Sequence, residues 1–201
     1  MKPDTVIRMA RIDLDARVHS VMQLRMISAT VRAIATGVAN ATLGRVMPSQ
    51  VELRAGDPAP AFTLPASDGR TYRLADFGGR QPVVMAWFPK AFTGGCTVEC
   101  RSLGADYAAL RAFNVKYFAA SVDAPDVNAD FARSLGLPYP ILSDETTETA
   151  RAYGVLTRSG FASRWTFYIG LDGRVLDIDK RVHPASHARD IAARLSELGI
   201  S

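Results

Sequence analysis

The stretch from Pro82 to Phe88 limits the possible folds more than any other part of this chain of 201 residues. After Pro82 it reads Val-Val-Met-Ala-Trp-Phe, with no charged side chain to face water. A continuous apolar run of this length is typical of a central strand that is covered on both faces. Extended and helical patterns alternate through the rest of the chain after residue 50. This order predicts an α/β sandwich, a central mixed sheet flanked by helices.

Periodicity and turn residues predict the remaining elements. Further strands are expected at 62–74, as a hairpin turning at Asp68-Gly69, at 115–122, at 139–142 and at 165–178, as a hairpin turning at Asp172-Gly173. Helices are expected after Cys96 with Leu103, Tyr107 and Leu110 on one face, at 124–135, after a cap at Asp144, and around Ile191, Leu195 and Leu198 up to Gly199.

The net charge of +4 belongs to the first fifty residues. Residues 1–50 hold seven basic and three acidic side chains, which leaves 17 of each in residues 51–201. The larger part is therefore neutral, and nothing in it requires a phosphate backbone as a partner. We predict two parts, a basic helical extension over 1–50 and a main domain over 51–201, and no nucleic acid as a partner.

The extension carries apolar residues at helical spacing, from Val21 through Ile27 to Val38. This pattern indicates an amphipathic helix that packs on the main domain or on a second subunit, or lies on a membrane surface. If translation begins at Met22 or Met26, the segment also resembles a signal peptide. No apolar run reaches the roughly 18 residues of a membrane span, so we expect no integral span. The compartment is predicted as cytoplasmic, or exported in the signal-peptide case, and the chain as a monomer or homodimer.

Chemistry is concentrated around the only two cysteines, Cys96 and Cys100. Two are too few for a disulfide scaffold or a four-thiolate zinc site. They follow the central strand, which Pro89 ends, and Gly94-Gly95 allow a tight turn into the next helix. In the first turn of a helix, unpaired N–H groups and the helix dipole favour a thiolate over a thiol. Thr93 can turn its hydroxyl into the same pocket. A buried, inert cysteine at position 96 would explain none of these neighbours.

The pattern Pro89-x-x-x-Thr93-x-x-Cys96 resembles the signature of the peroxiredoxins, the AhpC/TSA superfamily. The surrounding segments are similar to its bacterioferritin-comigratory (Q-type) branch, and the resemblance covers about residues 51–198. These segments are Gly-Asp-Pro-Ala-Pro-Ala-Phe at 56–62, Tyr-Pro-Ile-Leu-Ser-Asp at 139–144 and Arg-Trp-Thr-Phe-Tyr-Ile at 164–169.

The resemblance implies a thioredoxin-like fold and a thiol peroxidase without metal, flavin or haem. Cys96 would attack hydrogen peroxide or an organic hydroperoxide and become a sulfenic acid. Thr93 and Arg164 would bind and polarise the peroxide, and Pro89 would shield the sulfur from water. Glu99 would orient Arg164, although a solvated helix acid is an equal interpretation. Thioredoxin or a similar dithiol is the implied reductant.

Cys100 is the candidate resolving thiol, and here the chain departs from the family pattern. Q-type enzymes that resolve within this helix usually place the second cysteine five residues on, whereas here it is four. Cβ atoms four apart on a helix are separated by about 5–6 Å, and a disulfide needs about 3.5–4.5 Å. The first turn would therefore have to unwind. An enzyme with one reactive cysteine and an external resolving thiol stays open.

Cys96-x-x-x-Cys100 also resembles the copper motif of Sco-type copper chaperones, with His183 as a third ligand. Two features favour the peroxidase instead. No histidine stands in residues 159–164, just before the strand where Sco proteins have theirs, and Arg101 stands where Sco proteins usually have proline. We expect His183 in a loop, and His19 and His187 at the surface of helices.

Overall fold

The computed structural model describes residues 51–201. The helix and the targeting segment predicted within residues 1–50 lie outside the described residues. Among the residues described, no helix is long and apolar enough to cross a membrane.

Residues 51–201 contain seven strands in two sheets. Their bounds are β1 Thr63–Pro65, β2 Thr71–Arg73, β3 Val83–Trp87, β4 Lys116–Ser121, β5 Ile141–Ser143, β6 Thr166–Ile169 and β7 Val175–Asp179. β1 and β2 form a small antiparallel hairpin. The other five follow the order β5-β4-β3-β6-β7, parallel from β3 to β5 and antiparallel at β6 and β7. The predicted central mixed sheet and both hairpins are confirmed.

β3 is the central strand, and all five of its residues are buried. Its side chains alternate between two cores, because successive residues of a strand point to opposite faces. Val84 and Ala86 join one core, whereas Val83, Met85 and Trp87 join the other. The apolar run therefore marks a strand covered on both faces, as predicted.

Five helices flank the sheet in the described part of the chain. They are α1 Gly94–Ala105, α2 Tyr107–Leu110, α3 Pro125–Leu135, α4 Glu148–Ala152 and α5 His187–Glu197. Residues of α1, α2, α3 and α5 pack in the core of Val84 and Ala86. The β1–β2 hairpin and α4 contribute to the core on the opposite face.

Three differences from the sequence-based predictions concern α1, β5 and α4. The helix after Cys96 ends at Ala105, next to Gly104, and a separate short helix follows Asp106. Glycine is a poor helix former, which explains the break. The third parallel strand begins at Ile141 rather than 139, because Pro140 has no N–H for the ladder. Asp144 does not occupy the N-cap of α4, yet its Oδ2 accepts the N–H of Ala150 at 2.6 Å.

Candidate active site

The candidate site begins in the loop between β3 and α1. Pro89 lies two residues after the end of the buried strand and is partly exposed. The N–H of Ala91 donates to Asp123 Oδ2 at 2.8 Å, which fastens the loop to the segment after β4. Phe92 has a φ of 60°, and its ring packs against Phe131 at a centroid distance of 5.0 Å. The loop is held in a single path that leads into the first turn of α1.

Thr93 is the N-cap of α1 and has an extended backbone. Its hydroxyl donates to the carbonyl oxygen of Lys90 at 2.9 Å. A hydroxyl has one proton, so Thr93 does not donate to the Cys96 sulfur in this arrangement. The exposed side chain stays at the entrance to the helix, three residues before the cysteine.

Cys96 is the third residue of α1, and its side chain is buried. Its Sγ accepts a hydrogen bond from Arg164 Nη2 at 3.3 Å. The first N–H groups of a helix lack intrahelical acceptors, and the helix dipole is positive at this end. The sulfur therefore lies beside a permanent cation and a positively polarised helix end, both of which stabilise a thiolate.

The sheet topology explains how Arg164 reaches a cysteine 68 positions away. β6 runs antiparallel to β3, so the start of β6 lies beside the end of β3. The Trp87 N–H donates to the Trp165 carbonyl at 2.8 Å, which joins the two loops at this edge. A Cβ at Gly95 would come within 3.4 Å of Arg164 Nη2, so glycine there leaves room for the guanidinium.

Glu99 is buried one turn after Cys96 and forms an ion pair with Arg164 through Oε2 and Nη1. Residues three apart lie on one face of a helix, which directs both side chains toward the guanidinium. The interpretation of Glu99 as a solvated acid is wrong. The structure places it where it can orient Arg164.

The sequence analysis missed two members of this cluster, His187 and Thr166. The expectation that His187 lies at the surface is wrong, because it is 1% exposed. Its Nδ1 lies 2.9 Å from Glu99 Oε1, and its Nε2 lies 2.7 Å from the hydroxyl of buried Thr166. A signal was available, since His187 precedes Ile191 and Leu195 at intervals of four on the buried stripe of α5.

Cys100 is also a free, buried thiol, one turn further along the same helix. Its carbonyl oxygen accepts a hydrogen bond from the Tyr139 hydroxyl at 2.9 Å. Burial raises the pKa of Cys100 to about 12, which keeps it a neutral thiol. α1 is continuous through both cysteines, so a bond between them requires the helix to open.

The structure does not assemble the copper ligands of the Sco alternative. His183 is exposed in the loop before α5, whereas both cysteines are buried. Within residues 51–201, no three side chains of the His, Cys, Asp and Glu types converge on a point that could hold a metal ion.

Comparisons with known proteins point to one family. Residues 55–178 match the model of the AhpC/TSA family. The chain is 35% identical over 130 residues to peroxiredoxin Bcp of Escherichia coli, which covers 61% of this chain and 83% of that protein. It is 30% identical over 135 residues to the chloroplastic peroxiredoxin Q of Gentiana triflora, and this match covers 66% of this chain and 62% of that protein.

Solved structures agree with these relatives. Peroxidoxin BcpB from Mycobacterium tuberculosis superimposes with a TM-score of 0.66 at 28% identity, covering 73% of this chain and 98% of that chain. The thioredoxin-like fold is thus confirmed for the part of the chain that matches, and the relatives support the peroxidase rather than the copper chaperone.

Proposed function

This chain belongs to the AhpC/TSA family and is a thiol-dependent peroxidase, and we propose that Cys96 is the thiol that attacks the peroxide. The observation that carries the assignment is the 3.3 Å contact between Cys96 Sγ and Arg164 Nη2 in the first turn of α1. Of the two cysteines, Cys96 alone is paired with a cation at a helix N-terminus, and the thiolate is the nucleophilic form.

The first step is an attack of the Cys96 thiolate on one peroxide oxygen. A sulfur–oxygen bond forms and the oxygen–oxygen bond breaks, so the cysteine becomes a sulfenic acid. The other oxygen leaves as hydroxide or alkoxide and takes up a proton to give water or an alcohol. Arg164 lies where its charge can stabilise the negative charge that develops on the oxygens.

We assign supporting roles to Pro89 and Thr93. Pro89 lies between β3 and the reactive loop and offers no N–H to bind water near the sulfur. Thr93 keeps its hydroxyl oxygen at the helix entrance, where it can accept from the peroxide and, after rotation, donate to it. Only the donor role requires the hydroxyl proton to leave the Lys90 carbonyl when substrate binds.

Cys100 is assigned as the resolving thiol. Its sulfur condenses with the sulfenic acid of Cys96, so that a disulfide forms and water is released. Because burial raises the pKa of Cys100, its thiol reacts only after α1 opens and exposes it. Two electrons and two protons from thioredoxin or a similar dithiol then restore both thiols.

The domain organisation, the compartment and the assembly state of this chain are also proposals. We assign residues 1–50 to an extension separate from the main domain, the chain to the cytoplasm and its assembly to a monomer or homodimer. Fractionation of cells that make the full chain, with an antibody against residues 51–201, tests the compartment. A shortened chain in an exported fraction would support a start at Met22 or Met26 instead.

Single-turnover kinetics of Cys96→Ser and Cys100→Ser test the assignment of the two cysteines. Both substitutions replace sulfur with oxygen, so each variant is the control for the other. With hydrogen peroxide or an alkyl hydroperoxide, Cys100→Ser should keep the fast first step, followed by tryptophan fluorescence, and Cys96→Ser should lose it. The opposite pattern would overturn the assignment.

Counting thiols after one equivalent of peroxide tests the resolving step. The wild-type chain should lose both thiols without forming a covalent dimer, and Cys100→Ser should retain a sulfenic acid that a dimedone probe traps. If the wild-type chain instead retains one thiol and the same trapped acid, an external thiol resolves Cys96.

A further inference from the structure

We propose that His187 is a positioning residue for the reaction of Cys96. It holds Glu99 by one carboxylate oxygen, so that the other oxygen fixes Arg164 against the sulfur. The inference rests on the proposed role of Cys96 and extends the site by a side chain from α5, a helix that contributes nothing else to it.

The contacts form one chain of polar atoms through three elements and the loop before β6. Thr166 on β6 reaches His187 Nε2, His187 Nδ1 faces Glu99 Oε1, Glu99 Oε2 pairs with Arg164 Nη1, and Arg164 Nη2 donates to Cys96. Each link joins a different atom, so no partner competes with the next.

The atoms in the middle of this series of polar contacts depend on one another. Glu99 Oε2, Arg164 Nη1 and His187 Nδ1 are buried and have no hydrogen-bond partner among residues 51–201, so the close ion-pair contacts at Glu99 are the only polar contacts these atoms have there. Removing one partner leaves a buried polar atom unsatisfied, and such an atom moves or changes its protonation to recover a partner. Loss of the imidazole therefore acts first on Glu99 and through it on Arg164.

The protonation of His187 follows from its surroundings. Burial lowers the pKa of His187 to about 4, Asp179 and Asp190 oppose this change, and Arg164 adds to it. The ring is therefore neutral near pH 7 and has a single N–H. Because the carboxylate of Glu99 can only accept, we place the proton on Nδ1, and Nε2 accepts from the hydroxyl of Thr166.

A neutral donor suits this position better than a second cation. His187 is the first residue of α5, where the helix dipole disfavours a positive charge. A neutral imidazole holds the carboxylate in place without neutralising it. The negative charge of Glu99 then remains available to Arg164, the cation that faces it from the loop before β6.

Three substitutions separate positioning from packing. An asparagine amide reaches the place of Nδ1, a glutamine amide reaches the place of Nε2, and leucine fills the volume without a donor. The proposal predicts that His187→Asn keeps the rate constant of Cys96 within about threefold, and that His187→Gln and His187→Leu lower it about tenfold. All are made in Cys100→Ser, so that Cys96 is the only reacting thiol.

The measurement is the pH profile of two reactions of Cys96, with hydrogen peroxide and with iodoacetamide. In His187→Leu, Glu99 faces Arg164 alone and takes up a proton more readily, so both profiles should gain an acidic inflection. The background protein and His187→Asn should lack it. A merely structural role would lower the melting temperature and leave both profiles unchanged.

Two results would overturn the proposal. One is a His187→Leu profile that superimposes on that of the background protein, and the other is a His187→Asn variant as slow as His187→Gln. Should the leucine variant fail to fold, the comparison of the two amides decides alone, since both side chains are polar. If the background protein did not react with peroxide, the assignment of Cys96 would fail, whereas the iodoacetamide profiles would still decide the role of His187.

Discussion

Cys96 and Cys100 are the same residue type, four positions apart on one helix and equally buried, yet their surroundings differ completely. Cys96 lies in the first turn and accepts a hydrogen bond from Arg164. Cys100 lies one turn further along the helix, where Tyr139 contacts its carbonyl oxygen and burial raises the pKa of its thiol to about 12. Equal burial therefore leaves the two thiols in different electrostatic surroundings.

The difference shows what a reactive buried thiol requires. Desolvation disfavours the charged form of a cysteine wherever it is buried. At Cys96 the cation and the helix end oppose that effect, and a second layer of buried polar groups holds the cation. At Cys100 burial raises the pKa of the thiol even though the Tyr139 hydroxyl opposes this change. One α-helix thus carries two buried thiols, and among the described residues only the Cys96 thiol contacts a cation.

The largest effect is expected from removing the cation. Arg164→Met should slow the reaction of Cys96 with peroxide about 100- to 1,000-fold, because a preorganised charge beside the reacting atoms is lost. Arg158→Met, an exposed arginine six residues earlier, is the matched control and should react like the wild-type chain. Single-turnover kinetics measure both. A loss below tenfold would mean that the helix end activates Cys96 without help from Arg164.

The second prediction concerns stability at alkaline pH. In the unfolded chain Cys100 has its ordinary pKa of 9.0, and in the folded chain burial raises it to about 12. The stabilisation from the neutral thiol is therefore complete below about pH 9 and is lost as the pH rises toward 12. Between pH 9 and 10.5, Cys100 should account for a loss of about 2 kcal/mol in the free energy of unfolding.

Urea titrations of the reduced protein measure this loss. Burial also raises the pKa values of Tyr139, Tyr153 and Tyr168, so the wild-type curve contains their contributions as well. The difference from Cys100→Ala isolates the thiol, because the tyrosines are common to both chains. Parallel curves for the two proteins would show that Cys100 is more accessible than its burial indicates.

Much of the fold follows from local pattern, because strands and helices leave periodic traces. The run at 83–87 could only be a covered strand, and Asp68-Gly69 and Asp172-Gly173 mark turns. The proposal that Cys96 is the reactive thiol follows from its place between strand and helix. Arg164 did not follow from any local pattern, because its position depends on β6 lying antiparallel to β3, and only the family resemblance pointed to it.

The local sequence pattern predicted the burial of polar residues poorly. Glu99 follows Cys96 by three and could face either solvent or the core, since the hydrophobic residues of α1 form no clear stripe. The prediction that His187 lies at a helix surface is wrong, because the residue is buried. Its spacing to Ile191 and Leu195 placed it on the buried face, and the polar partner it needs comes from 88 residues earlier in the sequence.

A smaller effect is expected at the carboxylate that supports Arg164. Glu99→Gln keeps the shape of the side chain and removes its charge, so the reaction of Cys96 should slow about tenfold, equivalent to about 1.4 kcal/mol. Glu145→Gln, an exposed acid in the loop before α4, is the control. Stopped-flow measurements with both variants decide the point. An unchanged rate would mean that the surrounding loop, rather than Glu99, orients Arg164.

The smallest effect is expected from changing Tyr139, which contacts the backbone of Cys100. Tyr139→Phe removes the hydroxyl that donates to the Cys100 carbonyl and keeps the ring in the core. The loss of one buried hydrogen bond should lower the free energy of unfolding by about 1 kcal/mol. If the opening of α1 limits disulfide formation, easier opening should raise the rate of Cys96–Cys100 bond formation about fivefold. Quenching the reaction at intervals and counting thiols measures that rate.

Tyr153→Phe is the matched control, because its hydroxyl also donates to a backbone carbonyl, that of Pro60, in the core on the opposite face of the sheet. It should lose comparable stability and form the disulfide at the wild-type rate. Equal acceleration in both variants would mean that disulfide formation follows global stability. Acceleration in Tyr139→Phe alone would show that the tyrosine holds α1 closed over Cys100, so that the two thiols differ in access as well as in charge.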